Sequence, residues 1–283
     1  HWWTPPPINE GGYDIAEQAN DEVRFRKAMQ LENYTGTKFD LELDRIVRLL
    51  SPEKACAIFG CDLRDVYMVA FQSENSITNS GATAWEKATG LLSIWILGMY
   101  NPSPATTIVI PFTAGAADDL GPIVNDAYFG KVPPDRLVVR DDVIFFRGDG
   151  AYRSKIGLSP QRAKPILGSY DAANSVLTLV HYSKPDGAVD YVNSMWEIQE
   201  LPFAGDVVNS YNDGPATPGA APMGPFYELE TSSPAAALAP GESLTHVHTT
   251  LHLQGDEEAL DGIARAVLGV GVKEIAQVFE SGL

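Results

Sequence analysis

The chain has 283 residues with 37 acidic and 20 basic side chains, a formal net charge of −17 when histidine is neutral. That acidity argues against a nucleic-acid binder, which neutralises phosphates with Lys and Arg, and against docking on anionic membrane surfaces. A composition 45% apolar and 20% charged is globular, and no apolar run approaches the ~18–20 residues of a spanning helix, so the expected partners are small molecules or neutral polymers.

The first residue is His1, and no leader segment is visible after it. Period-two alternation dominates the rest of the chain. In residues 37–49, Phe39, Leu41, Leu43, Val47 and Leu49 share one face, with Asp40, Glu42, Asp44 and Arg48 on the other. That pattern predicts a half-buried antiparallel strand. Val23–Leu31 is expected to pair with it across the Asn33–Gly36 turn. Cys56 and Cys61 form a C-x4-C pair with no second pair to complete a zinc site, and read either as a disulfide or as two free thiols.

Further strands are expected near 66–72, 92–99, 106–112, 136–147, 175–182, 189–199, 206–210, 226–231 and 243–253, punctuated by Gly, Pro, Asn or Asp. Asp213–Pro225 reads as a loop between strands. Helical periodicity is clear only at the end, over Asp256–Leu268 and Val272–Phe279. Strands in meander order predict a mainly β antiparallel sandwich with short C-terminal helices, not alternating βαβ units. No internal repeat is visible, so one domain over 1–283 is the simplest count.

The densest chemistry lies in Gly224–Gln254. Glu228 and Glu230 are two apart on a strand, so both carboxylates project from one face. After the Pro240-Gly241 turn, His246, His248 and His252 share a face of the next strand. If those faces coincide, carboxylates meet a histidine row. Two chemistries suit that cluster: metal-free general acid–base catalysis, or a divalent Zn or Fe site using His246 and His248 with a Glu.

Arg153, Lys155, Arg162 and Lys164 gather scarce cations in one stretch, with Arg153 and Lys155 the candidates to meet a uronate carboxylate and surface ion pairing the plainer alternative. Among the aromatics Trp2, Trp3, Trp85, Trp95 and Trp196, Trp95 is expected to stack on a sugar face and Trp196 to lie in the core. Gly121–Gly130 sets Asn125 and Asp126 among turn residues as a binding loop. The sequence holds no G-x-S-x-G elbow, Walker loop, G-x-G-x-x-G fingerprint or H-E-x-x-H helix.

Leu229-Glu230-Thr231-Ser232-Ser233-Pro234, together with the downstream run Leu238-Ala239-Pro240-Gly241-Glu242, resembles the C-terminal pattern of aldose 1-epimerases (galactose mutarotases). Ile77-Thr78-Asn79-Ser80-Gly81 resembles the Asn-Thr-Gly turn of the same family. The chain as a whole is similar to an uncharacterised bacterial family of the galactose-mutarotase-like superfamily. The resemblance implies an antiparallel supersandwich, with Glu230 as the base that removes the anomeric hydroxyl proton. The family's histidine has no counterpart in Trp95–Asn101, so the acid is expected from His248 or His246. Members also extend further at their N-terminal end, so strands are expected to be missing here, with one edge of the sandwich either exposed or completed by another chain of a homo-oligomer. A bacterial periplasmic or secreted location is expected over a cytoplasmic one.

Three functions are compatible with these residues. The first is a carbohydrate-active enzyme of epimerase or lyase type, with Glu230, His248 and Arg153 catalytic and Glu228, Lys155, Asn125, Asp126 and Trp95 binding a sugar or uronate. The second is a metal-dependent hydrolase or isomerase on His246 and His248. The third is a carbohydrate-binding protein without catalysis. Copper chelation by His1 is a minor fourth.

Overall fold

The computed structural model describes residues 4–217 and 219–280. His1, Trp2 and Trp3 lie outside them. Fourteen strands are present among the described residues: β1 Asp14–Gln18, β2 Glu22–Glu32, β3 Lys38–Leu49, β4 Tyr67–Asn79, β5 Trp95–Tyr100, β6 Thr106–Pro111, β7 Leu137–Arg140, β8 Val143–Arg147, β9 Ser154–Leu158, β10 Ile166–Asp171, β11 Val176–Tyr182, β12 Val208–Asn212, β13 Tyr227–Ser232 and β14 Ser243–Gln254. Helices are short: α1 Pro6–Asn9, α2 Pro52–Phe59, α3 Ala117–Leu120, α4 Glu257–Leu268 and α5 Val272–Gln277. No helix among the described residues is long and apolar enough to cross a membrane.

The strands form two antiparallel sheets. A ten-stranded sheet runs β1-β2-β3-β4-β14-β11-β10-β6-β8-β7, and a four-stranded sheet runs β5-β13-β12-β9. One face of the large sheet packs on the small one through Ile108, Ile144, Phe146, Leu167 and Val180 against Ile156, Leu158, Val208 and Leu229. Its other face, with Ala70, Leu177, Leu179, Leu251 and Leu253, is covered by Leu260, Ile263, Leu268, Val272 and Ile275 of α4 and α5. The result is a small sheet, a large sheet and a helical layer, with an apolar core on each side of the middle one. Each fully buried Leu, Ile or Phe contributes roughly 1.5–3 kcal/mol to holding those layers together.

The expected mainly β, antiparallel architecture with C-terminal helices is observed. α4 starts where Asp256 accepts a bond from the Ala259 amide and stops at Gly269, which takes the left-handed conformation. Period-two reading misplaced several elements. The 136–147 segment divides at Asp141, whose φ of 48° turns the chain between β7 and β8. Residues 189–199 hold no strand; they form a loop on the far side of the small sheet, where Trp196 is 51% exposed and not in the core. β9, which carries Lys155 of the cationic stretch and is not among the expected strands, is a fully buried strand.

Candidate active site

The four-stranded sheet positions the site. Its register sets Leu97 of β5 opposite Glu230 of β13, Glu230 opposite Asn209 of β12, and Asn209 opposite Gly157 of β9; one pair further along, Glu228 faces Tyr211 and Tyr211 faces Lys155. Directly opposed residues point to the same side of an antiparallel sheet. Trp95, Leu97, Lys155, Tyr211, Glu228 and Ser232 therefore share the outer face, away from the large sheet. There they line a cavity of about 670 Å³, walled also by Tyr128, Phe129, Trp196 and Met223 from the loops and by Ile8 of α1.

Glu230 is fully buried beneath that floor and does not line the cavity. Its Oε2 accepts from the Lys155 ammonium at 2.8 Å and from the Trp95 indole N–H at 2.9 Å. Its Oε1 is buried without a donor. Lys155 also sits 4.8 Å from the Trp95 ring centroid and 5.2 Å from that of Tyr128, a cation held between two aromatic faces and a carboxylate. Glu228 does line the cavity. Burial first, and then the neighbouring Glu230 charge, push Glu228 up to about 8. Two adjacent carboxylates served by one cation do not both ionise readily, so at pH 7 Glu228 keeps its proton and Glu230 Oε1 is the acceptor left open to it.

A second polar group stands across the floor. Tyr128 donates to Asp206 Oδ2 at 2.7 Å, Asn125 donates to the same oxygen at 3.0 Å, and Asn209 donates to the Tyr128 hydroxyl at 2.9 Å. Burial raises the carboxyl of Asp206, with Tyr128, Asn125 and the Lys155 charge opposing it. Burial also raises the Tyr128 phenol, and the Asp206 charge adds to that. Asp206 reaches this position because residue 157 is glycine: a Cβ there would stand 2.0 Å from Asp206 Oδ2. A glycine inside a strand marks a close approach, and that was the available signal for this otherwise unforeseen pair.

The histidine row does not meet the carboxylates. Thr231, between Glu230 and Ser232 on β13, points to the opposite side of the sheet, and its hydroxyl lies 2.8 Å from His246 Nε2 and 2.9 Å from His248 Nδ1. Both imidazoles lie in the inter-sheet core, where burial lowers His246 to about 4 and His248 to about 3. Neither can serve as the acid at the carboxylate face, and the two ring nitrogens that converge do so on the Thr231 hydroxyl. Among the described residues, no three His, Cys, Asp or Glu side chains converge to hold a metal ion. The pairing error was one of faces: β13 and β14 belong to different sheets.

The cation cluster also separates. Arg153 stacks 4.1 Å from the Phe129 centroid and 5.6 Å from that of Trp196, so it braces the aromatic wall rather than entering the cavity as a catalytic group. Arg162 is buried and donates to the carbonyls of Thr113 and Gly121, while Lys164 pairs with Asp142 at 2.9 Å. Asn125 and Asp126 lie outside the cavity lining as well. Asn125 bonds backbone to backbone with Gly157, and Asp126 ties its own loop through Lys131 at 2.8 Å. Trp95, Lys155 and Glu228 are thus the sequence-predicted residues that the fold brings to one cavity. Cys56 and Cys61 are free thiols on the helical side of the large sheet.

Residues 1–279 match the family described as "Family of unknown function (DUF6786)". The chain belongs to that family. No curated protein matches the sequence. Among solved structures, the chain is similar to the Slr1438 protein of Synechocystis sp. at 11% identity and a TM-score of 0.46, over 86% of this chain and 66% of that one. It is similar to a galactose mutarotase related enzyme from Lactobacillus acidophilus at 8% identity and a TM-score of 0.44, over 86% of this chain and 71% of that one. A galactose mutarotase-like protein from Lactobacillus casei gives 9% identity and a TM-score of 0.46, over 86% and 73% of the two chains. The chain thus spans just under two thirds of the Slr1438 protein.

Proposed function

We propose that the protein is a carbohydrate-active enzyme that opens and recloses a neutral pyranose at its anomeric carbon by general acid–base catalysis. The observation that carries this reading is a cavity carboxyl, Glu228, held protonated near neutrality beside an aromatic-walled space. An acid is most useful when its pKa lies near the working pH. Trp95, Tyr128 and Trp196 offer faces on which the C–H side of a sugar ring can stack.

In this reading Glu228 delivers its proton to the ring oxygen as the bond from that oxygen to C1 breaks. The anomeric hydroxyl gives its proton to the Tyr128 oxygen while the Tyr128 proton passes to Asp206. The carbonyl formed at C1 then rotates and recloses by the reverse transfers. Glu230 and Lys155 position the acid: the ammonium holds Glu230 Oε2 at 2.8 Å, and the Glu230 charge keeps Glu228 protonated. Glu228 therefore takes the acid role expected of His248 or His246, and Tyr128 with Asp206 takes the base role expected of Glu230. A uronate is less favoured than a neutral sugar, since Lys155 and Arg153 already have partners. A lyase reading loses support for the same reason.

The test is the rate at which freshly dissolved single anomers of neutral aldoses equilibrate, tracked by polarimetry and by NMR exchange. The expected result is acceleration of at least one sugar, with Glu228→Gln and Tyr128→Phe each lowering kcat/KM by about a hundredfold or more. Binding of sugars without acceleration, undiminished in Glu228→Gln, would overturn catalysis and leave a carbohydrate-binding protein, a reading favoured by the full burial of Glu230.

A further inference from the structure

The cavity's polarity runs opposite to that of an ordinary sugar site. Its buried lining residues are Lys155, Tyr211, Glu228 and Ser232, every one carrying a polar atom. Its exposed lining residues are Ile8, Leu97, Trp196 and Met223, at 43%, 41%, 51% and 69% of full exposure, all of them apolar or aromatic. Water-facing rims are usually polar, and large apolar side chains gathered at a mouth mark a surface that a ligand or partner covers. The volume of about 670 Å³ falls in the range of pockets that bury drug-sized ligands and exceeds what one pyranose fills.

We infer that the ligand is amphipathic: a sugar whose ring sits on the Glu228–Lys155 floor and whose apolar substituent, an alkyl or aryl group, lies against Ile8, Leu97, Trp196 and Met223. This rests on the carbohydrate reading above and adds the substituent. Three features favour this occupant over a second copy of the chain. The apolar residues ring a cavity instead of forming a flat face. They converge from α1, β5 and two loops. The floor below them supplies hydrogen-bonding groups that an apolar partner surface would leave buried and unpaired. An aldose with the apolar group at a carbon other than C1 keeps its anomeric hydroxyl and is the substrate, while a glycoside, lacking that hydroxyl, is an unreactive probe of the same site.

The experiment compares methyl and octyl glycosides of glucose, galactose and mannose by calorimetry below micelle-forming concentrations, with octyl tetraethylene glycol ether as a sugarless control. Light scattering monitors the state of the protein throughout. The expected result is that the octyl form of at least one sugar binds tenfold or more tightly than its methyl form, about 1.4 kcal/mol. Met223→Ser and Leu97→Ser, both at exposed positions, should remove that increment and leave the methyl glycoside unaffected. Equal affinity of methyl and octyl forms would overturn the aglycone site and leave the sugar reading standing. Equal binding of the sugarless control would instead remove the sugar reading, and this inference with it. Self-association that Met223→Ser abolishes, with no octyl increment, would assign the rim to a second copy and overturn the inference.

Discussion

The two sides of strand β13 carry the same kind of burden with different outcomes. Glu228 and Glu230 face outward, Thr231 beside them faces inward, and both sides bury polar atoms almost completely. On the inner side the Thr231 hydroxyl spans two imidazoles, 2.8 Å from His246 Nε2 and 2.9 Å from His248 Nδ1, and burial keeps both rings neutral. On the outer side the Lys155 ammonium bonds Glu230 Oε2, the other oxygen of Glu230 is left open beside Glu228, and the cavity lies directly above. Burial makes a group neutral on either side. Chemistry additionally needs an unmet hydrogen-bonding demand and room for a substrate, which the outer side provides.

The comparison breaks most sharply at Lys155. Removing one partner from a buried ion pair leaves an uncompensated charge, at a cost of about 3–5 kcal/mol. Lys155→Met should therefore lower the unfolding free energy read from urea denaturation by an amount of that order, seen as a lower midpoint at unchanged slope. Lys155→Met combined with Glu230→Gln should recover much of the loss, because no buried charge then remains. A Lys155→Met variant as stable as the parent would mean that the floor does not depend on this pair. The inner side is expected to be less sensitive: Thr231→Val orphans ring nitrogens at about 1–3 kcal/mol. It should leave sugar binding unchanged, since the side chain never reaches the cavity. Altered binding in Thr231→Val, at equal folding, would show that the two faces are coupled.

Much of this was legible in the sequence. The alternation in residues 37–49 and the i, i+2 spacing of Glu228 and Glu230 report a period-two backbone, and that period is local. Asp256 and Gly269 mark the ends of α4 for equally local reasons. Which strands become neighbours is not local. His246 and His248 have the right spacing to meet the glutamates, but β14 pairs with β4 and β11 in the large sheet, while β13 pairs with β5 and β12 in the small one. Faces that coincide on paper are turned apart by which sheet each strand joins. Asp206 and Tyr128 are 78 residues apart and meet only because Gly157, on a third segment, leaves space for the carboxylate. Such three-part complementarity has no periodic trace. Arg153 and Lys155 stand two apart in the chain, yet one braces a wall and the other sits in the floor.

The gentlest separation of the two faces is by pH, because their titrations oppose each other. Glu228 is raised from 4.5 to about 8 in the folded protein, so between those values the native state holds a proton that the unfolded chain has lost. Its contribution is fully present below 4.5 and is lost as pH rises through about 8. His246 and His248 are lowered from 6.5 to about 4 and about 3, so below 6.5 the unfolded chain takes up protons that the native state refuses. Their contribution is present above 6.5 and is lost as pH falls toward 3. Each group changes the slope of stability by at most about 1.4 kcal/mol per pH unit. From 4.5 to 6.5 the two sides oppose each other; from 6.5 to 8 only the Glu228 decline remains. Urea denaturation at half-unit steps should therefore show stability falling between pH 6.5 and 8 in the parent, and a shallower fall in Glu228→Gln. The acid limb below pH 6.5 should keep its histidine contribution in that variant. An unchanged slope above 6.5 after Glu228→Gln would mean that Glu228 is ionised at neutrality, and the outer face would then lose its acid while the inner face kept its neutral pair.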